Sequence, residues 1–491
     1  MISPETKQQY KVSIGIECHV QLKTITKLFS AVDNDARSAE QNTLISHICF
    51  GIPGALPVLN EKAIELASRA GFALDSKPSK FSTFDRKHYF YPDLPMGYQI
   101  TQFYQPIVVG GNVEISIDGK TKNIGITRAH LEADAGKSMH PEGADYSLVD
   151  LNRAGTPLLE IVSEPDISSP AEAREYAHEL FLLMKYADVS EADLYHGNMR
   201  FDVNVSVSKT SELGTRTETK NLNSFRSVEK AAEFEINRQI ELLEKGESIV
   251  QETRGWDEVK QKTVSQRGKE QAHDYRYMPD PDLPPVVLDD KYIENIKKSM
   301  PSLPKYWRDK LSNIGLDSVQ AEIIIETQVL DKDINYLEIL EDNISDNKLT
   351  KQIANWMVNI EIPLRKESDE VKLNSQKDRT KVYQNISEMV IANKLSSSNA
   401  KLLIGELLSH DNLPENIEKY ATEQGFIQIS NNDEIEKIVI EVLDQNKKAV
   451  EDIKNGETKA IGFLVGNVMK LSRGKANPQT AQEIILKIIN K

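Results

Sequence analysis

Apolar and polar residues alternate along several stretches of the first 260 positions. The alternation is regular in residues 11–22, where Glu17 and His19 share the polar face, and it recurs in residues 126–134 and 200–207. A period of two predicts β-strands with one buried face. Because polar faces recur on strand after strand, the pattern predicts an antiparallel sheet whose open face is rich in acids and bases. Such a face can serve as a binding floor.

The pattern changes near residue 296. Four prolines between Pro279 and Pro285 precede the change, and they indicate the end of the first domain. Beyond it glycine becomes rarer and apolar residues follow helical spacing almost to the C-terminus. The chain is therefore predicted to be an α+β protein with a sheet domain over residues 1–295 and helices after it.

Composition narrows the class of protein. A chain of 491 residues is long enough for two or three domains. The formal net charge of −15 argues against purely electrostatic binding of nucleic acid, although a local basic patch remains compatible with it. Two cysteines indicate a reducing compartment. There is no apolar signal segment and no apolar run of membrane-spanning length, so a cytoplasmic protein without a membrane partner is expected.

The stretch 148–166, LVDLNRAGTPLLEIVSEPD, carries the most informative residue. Glu160 lies in a predicted strand that is otherwise Leu, Ile and Val. A buried carboxylate is costly unless a cation meets it. Two interpretations are equally compatible with the local pattern. Glu160 either forms a structural pair with Arg153 or ligates a metal ion.

Other residues make a metal site plausible. Glu17 and His19 project side by side and could form half of such a site, although for the pair in isolation an exposed polar face on an edge strand is the favoured interpretation. Oxygen ligands favour Mg²⁺ or Mn²⁺ over a structural zinc ion. Gly136-Lys137-Ser138 is not the end of a P-loop, because Leu131 stands where the first glycine belongs. The candidate carboxylates and the candidate cations for a phosphate are Glu17, Glu132, Glu160, Asp202, Lys87, Arg153 and Lys220.

The last fifty residues become basic. From Glu441 to Lys491 there are nine Lys/Arg and six Asp/Glu. A positive tail on a negative protein suits a polyanion, and a solvated helix face explains the charge equally well. From the residues alone, the chain is a metal-dependent enzyme with a polyanionic substrate.

Long motifs along the whole chain resemble the B-subunit family of aspartyl/glutamyl-tRNA amidotransferases. They are IGIECHVQL, FDRKHYFYPDLPMGYQITQ, HLEADAGKS, DLNRAGTPLLEIVSEPD, RFDVNVSV, ETKNLNSF, QETRGWDE, HDYRYMPDPDLPP, AIGFLVGNVMK and GKANP. The resemblance implies an antiparallel-sheet cradle domain with flanking helices over 1–295, an all-α helical domain over 296–408 and a small helical tail over 409–491.

The resemblance also implies an activity. Members of the family use ATP and Mg²⁺ to phosphorylate the side-chain carboxylate of Glu-tRNA(Gln) or Asp-tRNA(Asn). Ammonia released from glutamine by a partner amidase, the A-subunit, then converts it to the amide, and a small C-subunit completes a heterotrimer. The sequence leaves open which of the two misacylated tRNAs is used.

Residue by residue, the resemblance places catalytic and metal-binding roles on Glu17, His19, Glu132 and Glu160. Nucleotide-binding roles fall on Asp202, Arg153, Lys87 and Lys220, and tRNA binding falls on Lys447, Lys448, Lys470, Arg473 and Lys475. The chain departs from many relatives at Thr83 and Ala133, so a role in the ammonia path is not carried over to these positions. Two alternatives remain: a non-catalytic tRNA-binding adaptor and a free-standing metal-dependent hydrolase.

Overall fold

The computed structural model falls into two compact units, Met1–Pro304 and Lys305–Lys491. The residues it describes are 2–141, 143–268, 275–330, 334–367, 371–373, 375–427, 432–454, 459–472 and 476–489.

The strands that the structure describes all lie in the first unit. In chain order they are β1 Lys11–Gln21, β2 Phe81–Ser82, β3 Asp85–His88, β4 Tyr98–Thr101, β5 Val108–Val109, β6 Asn112–Ile117, β7 Lys120–Ala133, β8 Lys137–Met139, β9 Leu148–Asp150, β10 Pro157–Ser163, β11 Met199–Ser208, β12 Thr217–Leu222, β13 Glu252–Asp257, β14 Lys262–Gly268, β15 Met278–Pro279 and β16 Val286–Val287.

The described helices are divided between the two units. Those that begin before residue 300 are α1 Pro4–Gln8, α2 Glu61–Ala73, α3 Pro170–Tyr186, α4 Phe225–Glu244 and α5 Asp290–Lys298. The later ones are α6 Pro304–Asn313, α7 Ser318–Leu330, α8 Tyr336–Asp342, α9 Asn347–Trp356, a π-helix Met357–Glu361, α10 Ile362–Glu367, α11 Gln376–Ile391, α12 Ser397–Leu408, α13 Ile417–Glu423, α14 Asn432–Gln445, α15 Lys447–Lys454, α16 Lys459–Leu471 and α17 Pro478–Ile489.

One large sheet organises the first unit. Its order is β14-β13-β12-β11-β1-β10-β7-β4-β3-β15, and β5 and β6 also pair with β7. Neighbouring strands pair antiparallel, except for the parallel pair β12 and β13. The central strands β10, β1 and β11 are thus flanked on both sides, so side chains from four neighbouring strands can meet on one face.

The two faces of the sheet differ as the alternation predicts. In β1, Ile14, Ile16, Cys18 and Val20 are buried in the core. Helices α3 and α4 pack against each other, and α4 packs on β11. Burial of aliphatic side chains contributes about 25 cal/mol per Å² of apolar area removed from water. This burial fixes the pairing register of the strands, because a slip by one residue would turn the polar face toward the core.

Three helices of the first unit begin at capping side chains. Asn60, Ser169 and Ser224 each accept a hydrogen bond from a backbone N–H in the first turn of α2, α3 and α4. Such caps stabilise a helix by about 1 kcal/mol. Pro170 occupies the first turn of α3, where its missing N–H costs no hydrogen bond.

The second unit is helical throughout its described residues. Helices α14, α16 and α17 share a hydrophobic core that includes Val439, Leu464, Val468 and Ile485. The prediction of a mixed α+β chain with a predominantly antiparallel sheet and a helical C-terminal part is confirmed. The predicted boundaries at 295/296 and 408/409 stay predictions.

Candidate active site

Strand pairing brings residues far apart in sequence onto one face of the sheet. His19 in β1 lies opposite Glu160 in β10, and Glu160 lies opposite His130 in β7. On the other side of β1, Glu17 lies opposite Asp202 in β11. Residues opposite each other in an antiparallel pair have Cβ atoms about 4.5–5.5 Å apart, so the register alone places these side chains within reach of one another.

Three of the predicted metal-binding residues converge closely. His19 Nε2 lies 3.5 Å from Glu160 Oε2 and 4.0 Å from Glu132 Oε1. One ligand atom from each of these three residues lies within 4.8 Å of the others. One nitrogen and two carboxylate oxygens at this spacing can hold a divalent cation of the Mg²⁺ or Mn²⁺ class. The residues present therefore fit such an ion.

The electrostatics of this group depend on burial and close charges. Burial opposes protonation of His19, but the nearby carboxylates, first of all Glu160, raise its pKa to about 9. Burial likewise opposes ionisation of Glu160, yet the imidazoles of His130 and His19 and the ammonium of Lys87 hold its pKa well below its usual range. Burial and the charge of Glu160 raise the pKa of Glu132 to about 7. Without a cation, then, a proton on His19 compensates the buried negative charge.

A second acidic group lies beside the first. Glu17, Asp202 and Glu218 place one carboxylate oxygen each within 4.8 Å of one another. Lys220 Nζ lies 3.1 Å from Asp202 Oδ2 and 3.0 Å from Glu218 Oε1. Burial alone would lower the pKa of Lys220, but Asp202 and Glu218 raise it. Asn204 Nδ2 donates to Glu17 Oε1 at 3.1 Å. The structure thus places Glu17 in this group, apart from the three ligands above.

Arg153 lies next to Asp134. Its Nε is 3.2 Å from Asp134 Oδ2 and also donates to Ala135 O, while its Nη2 donates to Gly136 O. In the described part of the chain, the basic side chains within 4 Å of the Glu160 carboxylate are His19 and His130. The simple structural pairing of Glu160 with Arg153 therefore does not account for the buried acid.

Lys87 lies beside aromatic side chains on the same face. Its Nζ lies 5.0 Å from the ring centre of Tyr275 and 5.8 Å from that of Tyr89. Burial alone would lower the pKa of Lys87, but Glu132 and other nearby groups, including Glu160, raise it. The ammonium is therefore kept charged close to the candidate metal ligands, as a group that meets phosphate oxygens must be.

The predicted tRNA-binding residues lie in the second unit. Lys447 and Lys448 begin α15, and Lys470 lies near the end of α16; all three are exposed. Arg473 and Lys475 lie outside the described residues.

Two residues of this face were not among the candidates chosen from sequence. His130 precedes Glu132 by two positions on β7, and Glu218 precedes Lys220 by two on β12. The signal that could have found them is alternation, because residues i and i+2 of a strand share a face.

A membrane span was also sought. None of the described helices is both long enough and apolar enough to cross a bilayer.

Comparison with known proteins identifies the class. Residues 12–294 match the family described as the GatB/GatE catalytic domain, and residues 335–489 match the GatB domain. The chain is 44% identical over 490 residues to the B-subunit of the aspartyl/glutamyl-tRNA(Asn/Gln) amidotransferase of Thermoanaerobacter pseudethanolicus, covering 98% of this chain and 100% of the relative.

Other relatives agree. The corresponding B-subunit of Thermodesulfovibrio yellowstonii is 44% identical over 488 residues, covering 98% of this chain and 100% of the relative. That of Thermotoga petrophila is 42% identical over 489 residues, covering 98% and 99%. The chain belongs to the family of aspartyl/glutamyl-tRNA(Asn/Gln) amidotransferase B-subunits, which confirms the resemblance seen in the motifs.

Proposed function

We propose that this chain activates the side-chain carboxylate of Glu-tRNA(Gln), Asp-tRNA(Asn) or both with ATP, and that the activated group is then amidated. The observation that carries the proposal is the convergence of His19, Glu132 and Glu160 on one sheet face beside the Lys87 ammonium. Membership in the B-subunit family supports the same reaction. We place the reaction in the cytoplasm, within a heterotrimer that also contains the A-subunit amidase and a small C-subunit.

The chemistry explains why activation is needed. An oxide ion cannot leave a carboxylate carbon, so ammonia cannot displace it directly. In the first step a carboxylate oxygen attacks the γ-phosphorus of ATP and ADP leaves. In the second step the ammonia nitrogen attacks the acyl carbon, inorganic phosphate leaves, and the nitrogen loses a proton.

The residues on the sheet face would have different roles in this reaction. His19, Glu132 and Glu160 would hold Mg²⁺, which when bound would offset negative charge on the phosphates, while Glu17 lies in the neighbouring acidic group. Lys87 is placed to meet the phosphoryl group as it moves.

Two further cations on this face, Lys220 and Arg153, are each held by carboxylates. Lys220 is fixed by Asp202 and Glu218, while Arg153 is fixed by Asp134. Because these cations are already held in position by carboxylates, they need little reorganisation when a polyphosphate binds. We propose that they orient the nucleotide.

The test is reconstitution of the assembled complex with each misacylated tRNA in turn. We expect amide formation from at least one of them when ATP and Mg²⁺ are present, with ammonium able to replace glutamine as the nitrogen source. A non-catalytic adaptor predicts that ATP-dependent amide formation by the assembled complex is unchanged in the Glu160→Gln variant. A free-standing hydrolase predicts turnover of a small ester or phosphate by this chain without its partners, and either result would contradict the proposal.

We also propose that the C-terminal helices contact the tRNA backbone through Lys447, Lys448 and Lys470, together with Arg473 and Lys475. The triple variant Lys447→Ala, Lys448→Ala, Lys470→Ala should raise the KM for tRNA and leave kcat unchanged. Each lost phosphate contact should also lower the slope of log affinity against log salt by about one. Filter binding at several salt concentrations measures both the affinity and the slope.

The matched control removes three exposed lysines of the first unit: Lys245, Lys260 and Lys298. Equal losses of tRNA affinity in the two triple variants would show that only net charge matters, and would argue against a specific tail contact.

A further inference from the structure

His130 is a buried imidazole, and one of its ring nitrogens has no hydrogen-bond partner among the described residues. Its side chain is 5% exposed, and in the described part of the chain its Nδ1 has no hydrogen-bond partner. Buried polar atoms nearly always have a partner, because leaving one unsatisfied costs about 1–3 kcal/mol. Since the unpaired atom is Nδ1, a ligand role for His130 has to rest on its other ring nitrogen, Nε2.

The other ring nitrogen points into the site. His130 Nε2 lies 3.6 Å from Glu160 Oε2 and 3.9 Å from Glu132 Oε2. His19 Nε2 lies 3.5 Å from that same oxygen of Glu160 and 4.0 Å from the other oxygen of Glu132. The two imidazole nitrogens thus lie at nearly equal distances from the same two carboxylates.

These four separations close a ring that passes through one oxygen of Glu160 and both oxygens of Glu132. N–H···O hydrogen bonds span about 2.7–3.2 Å, so the sides of the ring are too long for good ones. Ligands about 2.1 Å from one ion lie roughly 3.0 Å apart at right angles and roughly 4.2 Å apart when opposite. Sides of 3.5 to 4.0 Å lie between these two values, so inward movements of the four side chains would bring their ligand atoms onto one ion.

We propose that His130 would be a fourth protein ligand of the cation, so that two imidazole nitrogens and two carboxylates would hold the ion. The inference rests on the proposed metal site and adds a ligand and a metal preference to it. Imidazole nitrogen favours transition ions, whereas Mg²⁺ prefers oxygen. The chain should consequently bind Mn²⁺ more tightly than Mg²⁺, and the preference should depend on His130.

The experiment loads the full-length chain with one equivalent of Mn²⁺ and counts coordinated imidazole nitrogens by electron spin echo modulation. The wild-type chain should show two. His130→Phe, which keeps a ring of similar size without a nitrogen, should show one and should bind Mn²⁺ at least about tenfold more weakly. Its preference for Mn²⁺ over Mg²⁺ should fall as well. The control His140→Phe removes an exposed histidine and should still show two nitrogens.

The wild-type count decides the inference even if His130→Phe folds poorly. A single nitrogen that disappears in His19→Phe would overturn the role of His130 and leave the three-residue site intact. No nitrogen coupling in the wild-type chain, together with Mn²⁺ binding that Glu160→Gln does not change, would refute the proposed metal site itself.

Discussion

Replacing Glu160 by glutamine should lower ATP-dependent amide formation by the assembled enzyme about 10²- to 10³-fold. The glutamine has nearly the same shape as glutamate but lacks the negative charge that lies close to His19 and His130. A metal ion supplies several kcal/mol of charge stabilisation to phosphoryl transfer, and each 1.4 kcal/mol corresponds to a factor of ten in rate. Initial rates with saturating tRNA, ATP and Mg²⁺ measure the loss.

The matched control is Glu164→Gln. Glu164 follows the same strand, but its side chain is exposed and accepts a hydrogen bond from Thr127. We expect near wild-type rates from this control, and unchanged glutamine hydrolysis by the partner amidase in both variants. Wild-type amide formation by Glu160→Gln would favour the adaptor interpretation, in which the acids only stabilise the sheet.

Replacing Glu361 by glutamine should destabilise the helical unit by about 3 kcal/mol. Glu361 is fully buried at the end of the π-helix. Its carboxylate pairs with Arg379, which is also fully buried, and with Arg365 Nε at 3.0 Å, and it accepts a hydrogen bond from Tyr383. Removing the counter-charge of a buried cation is expensive, about 3–5 kcal/mol in other proteins. Urea unfolding followed by tryptophan fluorescence measures the change, because Trp307 and Trp356 both lie in this unit.

Glu388→Gln is the control for this stability prediction. Glu388 lies on α11, the helix that also carries Arg379, and is exposed. A surface substitution of this kind usually changes the free energy of unfolding by less than about 0.5 kcal/mol. If both variants unfold at the same urea concentration as the wild-type chain, the buried charge network contributes little to stability.

Local patterns predicted much of the fold. Alternation in residues 11–22 anticipated β1 and the burial of its apolar face, and the capping side chains of Asn60 and Ser169 do begin α2 and α3. These features depend on neighbours in sequence, which the sequence displays directly. A stretch at 380–408 has helical spacing throughout, yet the structure has two helices, α11 and α12, with a break after Ile391.

The geometry of the site was harder to predict because it depends on strand order and register. The sequence indicated that Glu17, His19, Glu132 and Glu160 are polar positions on strands, but not which strands are neighbours. The pairing registers on the two sides of β1 make the separation, because His19 lies opposite Glu160 in β10 whereas Glu17 lies opposite Asp202 in β11.

Register also decides which partners a buried acid meets. It places His130 opposite Glu160, a contact between strands thirty residues apart. Proximity in sequence instead suggested Arg153 as the partner of Glu160. The turn between β9 and β10 directs Arg153 toward Asp134, Ala135 and Gly136, and no local pattern reveals that.

The central claim is that a metal ion and a nucleotide share the face built from His19, Glu132 and Glu160. Calorimetric titration of a non-hydrolysable ATP analogue into the full-length chain, with and without Mg²⁺, tests it most directly. If the metal and the nucleotide share a site, Mg²⁺ should raise nucleotide affinity at least about tenfold, and Glu160→Gln should abolish that coupling. The same coupling in the wild-type chain and in Glu160→Gln would contradict the account.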